Sequence, residues 1–251
     1  VVEFNLFCPF YNDELWAANP MNHQNNINGI GNCPREEVYT LKHKDLTEIQ
    51  IAFVRKVITE LKDFDNLYYE VCNEPYFGGV TVEWQWKIAD VIAETEKSLG
   101  VRHLVSMNIA NGRAKVEKLH PAVKILNFHY CVPPDTVALN YHWNVAISEN
   151  ETGFRGKDDI LYRTEGWDFI LAGGALYSNL DYSFTPSHPE GDFLDYKSPG
   201  GGSPALRQQL AILKRFMEAL PFVNMQPDTE SIERVSPDLT ATCLSQYGKV
   251  Y

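Results

Sequence analysis

Several features that would assign this chain to a function class at once are missing. No stretch reaches the roughly 18 consecutive apolar residues that a membrane span needs, so no spanning helix and no membrane partner are expected. Basic residues are in deficit. The formal net charge is −11 over 251 residues, which argues against a general nucleic-acid binder, since that needs a basic surface. The five cysteines (Cys8, Cys33, Cys72, Cys131 and Cys243) include no Cys-x-x-Cys pair, so neither a zinc site nor a dithiol redox motif is expected. Cys8 and Cys33 could meet across one long loop, but free thiols packed as small hydrophobes are the preferred reading. No Gly-x-Ser-x-Gly elbow and no repeat of fixed period occur. The start, Val1 to Cys8, has no basic stretch before its apolar residues and no small-residue cleavage site. It reads as a strand and not as a signal peptide, and the compartment stays open, secretion included.

What is present is a hydrophobic fraction of 44%, enough for a substantial core. Val1–Phe7 reads as a strand, followed by a long polar and aromatic loop carrying Tyr11, Trp16, Asn19-Pro20 and His23 to Asn26. Asp45 with Glu48 resembles a capping box for a helix from Leu46 to about Phe64, with Ile49, Phe53, Val57 and Leu61 as its apolar stripe. A strand from Asn66 to Glu74 follows. Thr81 is the expected N-cap of a helix that Gly100 ends, and its Trp84, Ile88 and Val91 read as core. Further strands are expected over Arg102–Asn108, Val123–Phe128, Trp143–Glu151 and Ala175–Phe184. A helix should start at Asp158 or Asp159 and end at Gly173-Gly174. Gly200-Gly201-Gly202 reads as flexible punctuation before a helix capped by Ser203 with Pro204 in its first position. Leu239–Tyr251 reads as a strand, a turn at Tyr247-Gly248-Lys249 and the start of a second strand. Strand and helix signals thus alternate about six times, the pattern of parallel βαβ units in an α/β protein.

Two acids fall where such a fold does its chemistry. Glu74, in Asn73-Glu74-Pro75, and Glu151, in Glu151-Thr152-Gly153, each stand at the C-terminal end of an expected strand. Proline ends the first strand because it donates no ladder hydrogen bond. Each alone fits an ordinary solvated loop carboxylate equally well. In a closing parallel barrel both would point into one cleft, and cleavage of a glycosidic bond with retention needs two carboxyls about 5–5.5 Å apart, one protonated and one ionised. Glu149 is a rival to Glu151, because period-2 alternation puts both on the same side of a strand. Glu165 lies inside an expected helix and reads as structural.

Asn73-Glu74-Pro75, His129-Tyr130 and Glu151-Thr152-Gly153, each after a strand and in this order, resemble the clan A retaining glycoside hydrolases, TIM-barrel enzymes that include the family 5 cellulases and mannanases. The stretches Tyr162-Arg163 to Trp167, Leu171 to Gly174 and Leu180 to Phe184 resemble the seventh helix and eighth strand of cellulase-like members. The likeness runs from Val1 to about Leu220. It implies Glu74 as general acid/base, Asn73 on the sugar hydroxyl beside the reacting carbon, Glu151 as nucleophile, Tyr130 hydrogen-bonded to it and His129 lining the subsite. It prefers Glu151 to Glu149, because the family pattern is Glu-x-Gly. The implied partner is a carbohydrate substrate, with Trp16, Tyr76, Phe77 and Trp143 as candidate stacking platforms. Plain loop packing is the alternative for each ring. No metal and no organic cofactor is implied.

The likeness also has gaps. Counted against the family, Val1 falls in the third barrel strand, so two βα units are expected to be missing, along with an arginine at the end of one of them. Arg35 and Arg113 are its only stand-ins. The expectation is an incomplete TIM-barrel-type α/β domain of about six βα units over residues 1–238, and a truncated C-terminal β segment over 239–251. Open barrel edges favour pairing with another chain. A homo-oligomer that covers the edges, a fragment of a longer chain, and a natural incomplete barrel covered by its own loops are the three readings left open. A non-catalytic carbohydrate-binding barrel is the rival function.

Overall fold

The computed structural model describes residues 1–197 and 199–249. Six strands, β1 (Val2–Asn5), β2 (Leu67–Glu70), β3 (Val105–Asn111), β4 (Val123–His129), β5 (Ala146–Glu151) and β6 (Leu176–Tyr177), lie in one parallel sheet in chain order. The helices are α1 (Asp13–Ala17), α2 (Lys44–Leu61), α3 (Val82–Leu99), α4 (Asp135–Asn140), α5 (Asp159–Leu171) and α6 (Pro204–Glu218). A small antiparallel pair, β7 (Gln226–Pro227) and β8 (Leu244–Ser245), closes the described chain. Strand number, direction and order are those of an incomplete TIM-barrel-type α/β fold, with β1 and β6 as the sheet's two ends among the described residues. One connection departs from the βα pattern: β3 and β4 are joined without a helix. None of the described helices is long and apolar enough to cross a membrane.

The chain divides into two compact units, residues 1–110 with 117–127, and residues 111–116 with 128–251. In the first, β1 pairs with β2 in the register Val2 to Leu67 through Asn5 to Glu70, and β2 with β3 at Tyr69–Val105 and Glu70–Ser106. Trp84 is the hub of its core, with Phe7 5.1 Å and Tyr39 4.9 Å from its ring centre. The indole N–H donates to Gln50 Oε1 at 2.8 Å, and Gln50 Nε2 donates to the Val38 carbonyl at 2.9 Å. Trp84, Ile88 and Val91 are core residues, as expected. α3 is capped by the Thr81 hydroxyl and ends at Gly100 with φ +72°, where a residue without Cβ is unstrained.

α2 differs from its expectation in two ways. It begins at Lys44 behind His43, with no side-chain cap, so Asp45 is inside the first turn and not the cap. Its buried face runs through Leu46, Gln50, Val54 and Ile58, whereas Ile49 and Phe53 are exposed. The two sets are one step apart on the helix, and Gln50 is core because both ends of its amide are used.

In the second unit β5 pairs with β6 at Ser148–Leu176 and Glu149–Tyr177. α5 follows Asp158, and α6 is capped by the Ser203 hydroxyl on the Leu206 N–H at 2.8 Å, with Pro204 in its first turn. The strand expected over Ala175–Phe184 shrinks to two residues. The following chain stays hydrogen-bonded beside β5 through Ser178 N–H to Glu149 O at 2.8 Å and Leu180 N–H to Thr152 O at 3.0 Å, and then meets Gly201 through a single bridge at Asp181. The three glycines there are tight packing and not a flexible spacer: a Cβ on Gly201 would overlap the Tyr162 ring. The expected tail strand is β8, which pairs with β7, and a turn follows at Tyr247-Gly248. The second tail strand, at Val250 and Tyr251, lies outside the described residues. All five cysteines are free thiols, so Cys8 and Cys33 are not joined.

Candidate active site

Glu74 belongs to the first unit. β2 leaves the ladder earlier than the sequence suggests, at Glu70, but Val71 N–H still bonds Ser106 O and Asn73 N–H bonds Phe7 O. Glu74 then adopts φ 37° and ψ 52°, the left-handed region that a side chain disfavours. Its N–H is held by Asn108 Oδ1 at 3.1 Å, and a 3-10 turn over Pro75–Phe77 follows at once. The strained bend turns the carboxylate out of the strand's run. Tyr11 donates its hydroxyl to Glu74 Oε2 at 2.8 Å, and Asn73 Nδ2 donates to the Tyr11 hydroxyl oxygen at 3.2 Å. Burial, then hydrogen bonds to Cys8 and Glu74, push the Tyr11 phenol well above its usual range, so it stays a neutral donor. Tyr76 and Phe77 beside Glu74 are partly exposed, with ring centres 4.9 Å apart, and Phe77 also faces Tyr11.

Glu151 ends β5 in the second unit. Tyr130, at φ 55°, donates its N–H to the Glu151 carbonyl at 3.0 Å and its hydroxyl to Glu151 Oε1 at 2.5 Å. Buried His129 has Nδ1 3.7 Å from Glu151 Oε2. The neighbouring Phe154, also at positive φ, is exposed and packs edge-on to the Tyr130 ring at 5.7 Å. Glu149, the rival acid, is deeper. It is fully buried, and its Oε1 accepts the Cys131 N–H at 2.6 Å. Glu151 keeps a solvent-reachable side chain, at 24% exposure.

Each unit therefore groups a subset of the expected residues: Asn73 and Glu74 in the first, His129, Tyr130 and Glu151 in the second. Two candidates stand elsewhere. Trp16 is buried in its loop, its indole N–H on the Cys33 carbonyl at 2.9 Å and its ring 5.0 Å from Phe10. Trp143 precedes β5, with its indole N–H on the Val116 carbonyl at 3.0 Å. It thus lies at the end of the strand opposite Glu151. Arg35 pairs with Asp13 and Glu36, and Arg113 faces Asp135, so both stand-in arginines have carboxylate partners of their own. Tyr11 and Asn108 are additions that the sequence did not single out. Tyr11 lies 63 positions from Glu74 in a loop, and the only available signal was an aromatic residue in a long polar segment.

No protein-family model matches the chain, and no curated protein does. Among solved structures, one described as a glycoside hydrolase aligns with a TM-score of 0.51 at 15% identity, over 78% of this chain and 51% of that one. The chain thus spans about half the length of that structure. At this identity the likeness establishes a shared fold.

Proposed function

We propose that this chain is a retaining glycoside hydrolase that cleaves β-glycosidic bonds of a poly- or oligosaccharide, with Glu74 as acid/base and Glu151 as nucleophile. The observation that carries the reading is the Tyr130–Glu151 pair. A solvent-reachable carboxylate at a strand's C-terminal end is fixed by a phenol at 2.5 Å, which orients one oxygen and leaves the other for attack. The matching acid, Glu74, stands just beyond a second parallel strand of the same fold, and that fold also occurs in a glycoside hydrolase.

In this reading Glu74 protonates the glycosidic oxygen as the bond to the anomeric carbon breaks, while a Glu151 oxygen bonds that carbon and inverts it. The ionised Glu74 then takes a proton from water. The water oxygen attacks the same carbon, displaces Glu151 and restores the original configuration. Asn73 holds the neighbouring sugar hydroxyl, and His129 lines the subsite. Exposed Tyr76, Phe77 and Phe154 are the rings available for stacking against sugar faces.

Release of the phenol from aryl β-glycosides by the wild type, with loss of at least a thousandfold in Glu151→Gln, supports the enzyme. Oligosaccharide binding without turnover would instead indicate a non-catalytic carbohydrate-binding barrel. Neither binding nor turnover would remove both.

A further inference from the structure

Behind Glu151 lies a second pair of acids that the reaction above does not use. Glu149 Oε1 accepts the Cys131 N–H at 2.6 Å, and Cys131 directly follows Tyr130. Glu165, on α5, accepts the Thr152 hydroxyl on Oε1 at 2.7 Å, and Thr152 directly follows Glu151. The remaining oxygen of each carboxyl is buried. Among the described residues no donor reaches Glu149 Oε2, and Glu165 Oε2 has only the Arg155 guanidinium, at 3.5 Å. The two acids are near enough to act on each other's ionisation, and both orphaned oxygens are buried. Two ionised carboxylates only accept, so a single proton held between them would satisfy both oxygens at once.

We propose that Glu149 and Glu165 share one proton and serve as positioning residues, clamping together the two strand ends that present Tyr130 and Glu151. With one proton the charges balance: one buried carboxylic acid, one buried carboxylate and the Arg155 cation, which reaches in from an exposed position. With none, the pair holds an uncompensated negative charge out of water, which is costly. Burial followed by the charge of Glu165 pushes the Glu149 carboxyl up to about 9, and burial raises Glu165 as well. The other titratable groups facing the pair are the Cys131 thiol and the Tyr162 and Tyr177 phenols, all raised by burial and so neutral. Arg155 is the only cation among the groups acting on the pair. Glu151 is one pleat further out.

The clamp rests on the glycosidase reading only for its consequence, so the test uses a readout that needs no turnover. Glu149→Gln keeps the geometry, because its amide oxygen accepts from Cys131 and its amide nitrogen donates to Glu165 without a titrating proton. With carbon-13 labels in glutamate carboxyls and tyrosine ring carbons, one carboxyl of the wild type should titrate near pH 9, and the Tyr130 ring signal should shift in step with it. In Glu149→Gln both responses should vanish while the fold is kept. Glu165→Gln, the second isosteric variant, should abolish the same titration. A Tyr130 signal that titrates alike in wild type and Glu149→Gln, or a wild type with no glutamate titrating near pH 9 that Glu149→Gln removes, overturns the clamp; Glu70, raised to about 8 in the other unit, is unaffected by either variant. Where the wild type hydrolyses aryl β-glycosides, Glu149→Leu should lose at least tenfold in kcat with KM little changed, and Glu149→Gln should recover it. An inactive wild type with both spectral responses intact refutes the proposed activity and leaves the clamp standing.

Discussion

Glu70 offers a quantitative test of how the first unit is built. It is fully buried at the end of β2, and its carboxyl meets Asn5 Nδ2 at 3.2 Å, the Ser106 hydroxyl at 2.9 Å and Asn127 Nδ2 at 2.7 Å. Burial, then the neighbouring charge of Glu3, push it up to about 8. These causes outweigh the hydrogen bonds that favour the ionised form. A raised carboxyl means that the folded chain keeps a proton which the unfolded chain releases near pH 4.3. The contribution is fully present below that pH and is lost as pH rises, until both states are ionised above about 8. The slope is about 1.4 kcal/mol per pH unit, so one such group removes at most about 5 kcal/mol across the window. Glu149 adds a parallel loss that continues to about pH 9. In Glu70→Gln the amide oxygen keeps the bonds from Ser106 and Asn127, and the Asn5 amide turns to accept from the new N–H. Urea unfolding followed by tryptophan fluorescence at pH 5, 6, 7 and 8 should show the variant losing about half as much stability per pH unit as the wild type. An unchanged slope would mean that Glu70 is ionised in the folded state, and the argument from burial would fail.

Other substitutions probe the rest. Tyr130→Phe removes a hydrogen bond to a charged group worth about 1.5–3 kcal/mol. It should cost aryl β-glycoside hydrolysis roughly tenfold to a hundredfold in kcat/KM, with the melting temperature nearly unchanged. Tyr11→Phe should lower kcat/KM through Glu74, and loss of activity without loss of fold distinguishes it from a packing residue. Trp143→Ala should lower the melting temperature, because its indole pins the Val116 carbonyl, yet leave KM for oligosaccharides unaltered. A rise in KM would restore it as a stacking platform. Gly201→Ala forces a methyl group into the Tyr162 ring and should cost about 1–3 kcal/mol of stability, read by thermal unfolding.

Where local chemistry sets the structure, the residues were readable in advance. Ser203-Pro204 and the span from Thr81 to Gly100 fix their helices through bonds made within a few positions, and these boundaries match. Alternation of strand and helix signals was enough for the parallel sheet. What depends on distant partners was not readable. Gln50 is core because it bonds Trp84, 34 positions away, and hydrophobic periodicity gives a polar residue no weight. The expected ten-residue strand after Gly174 keeps bonds to the β5 chain only as far as Leu180, because Asp181 and Tyr182 pair instead with Gly201, a pairing with no local signal. Among the candidate residues, Asn73 and Glu74 in one unit and His129, Tyr130 and Glu151 in the other were visible because each stands at or just after the end of a strand. Tyr11, the hydroxyl donor to Glu74, was not, because only the folded loop brings it there. The choice between Glu149 and Glu151, which alternation leaves open, is informed by depth: the inner acid is fully buried and the outer one reaches solvent.

The central claim is that Glu74 and Glu151 divide one reaction between them, and azide rescue tests it most directly. Small-residue variants at each acid are given an activated aryl β-glycoside and sodium azide, and the anomeric configuration of the glycosyl azide is read by proton NMR. The account predicts the β-azide from Glu74→Ala, where azide replaces the water of the second step, and the α-azide from Glu151→Gly, where it replaces the nucleophile. Equal, unrescued activity in both variants, or the reverse pairing of configurations, would contradict it.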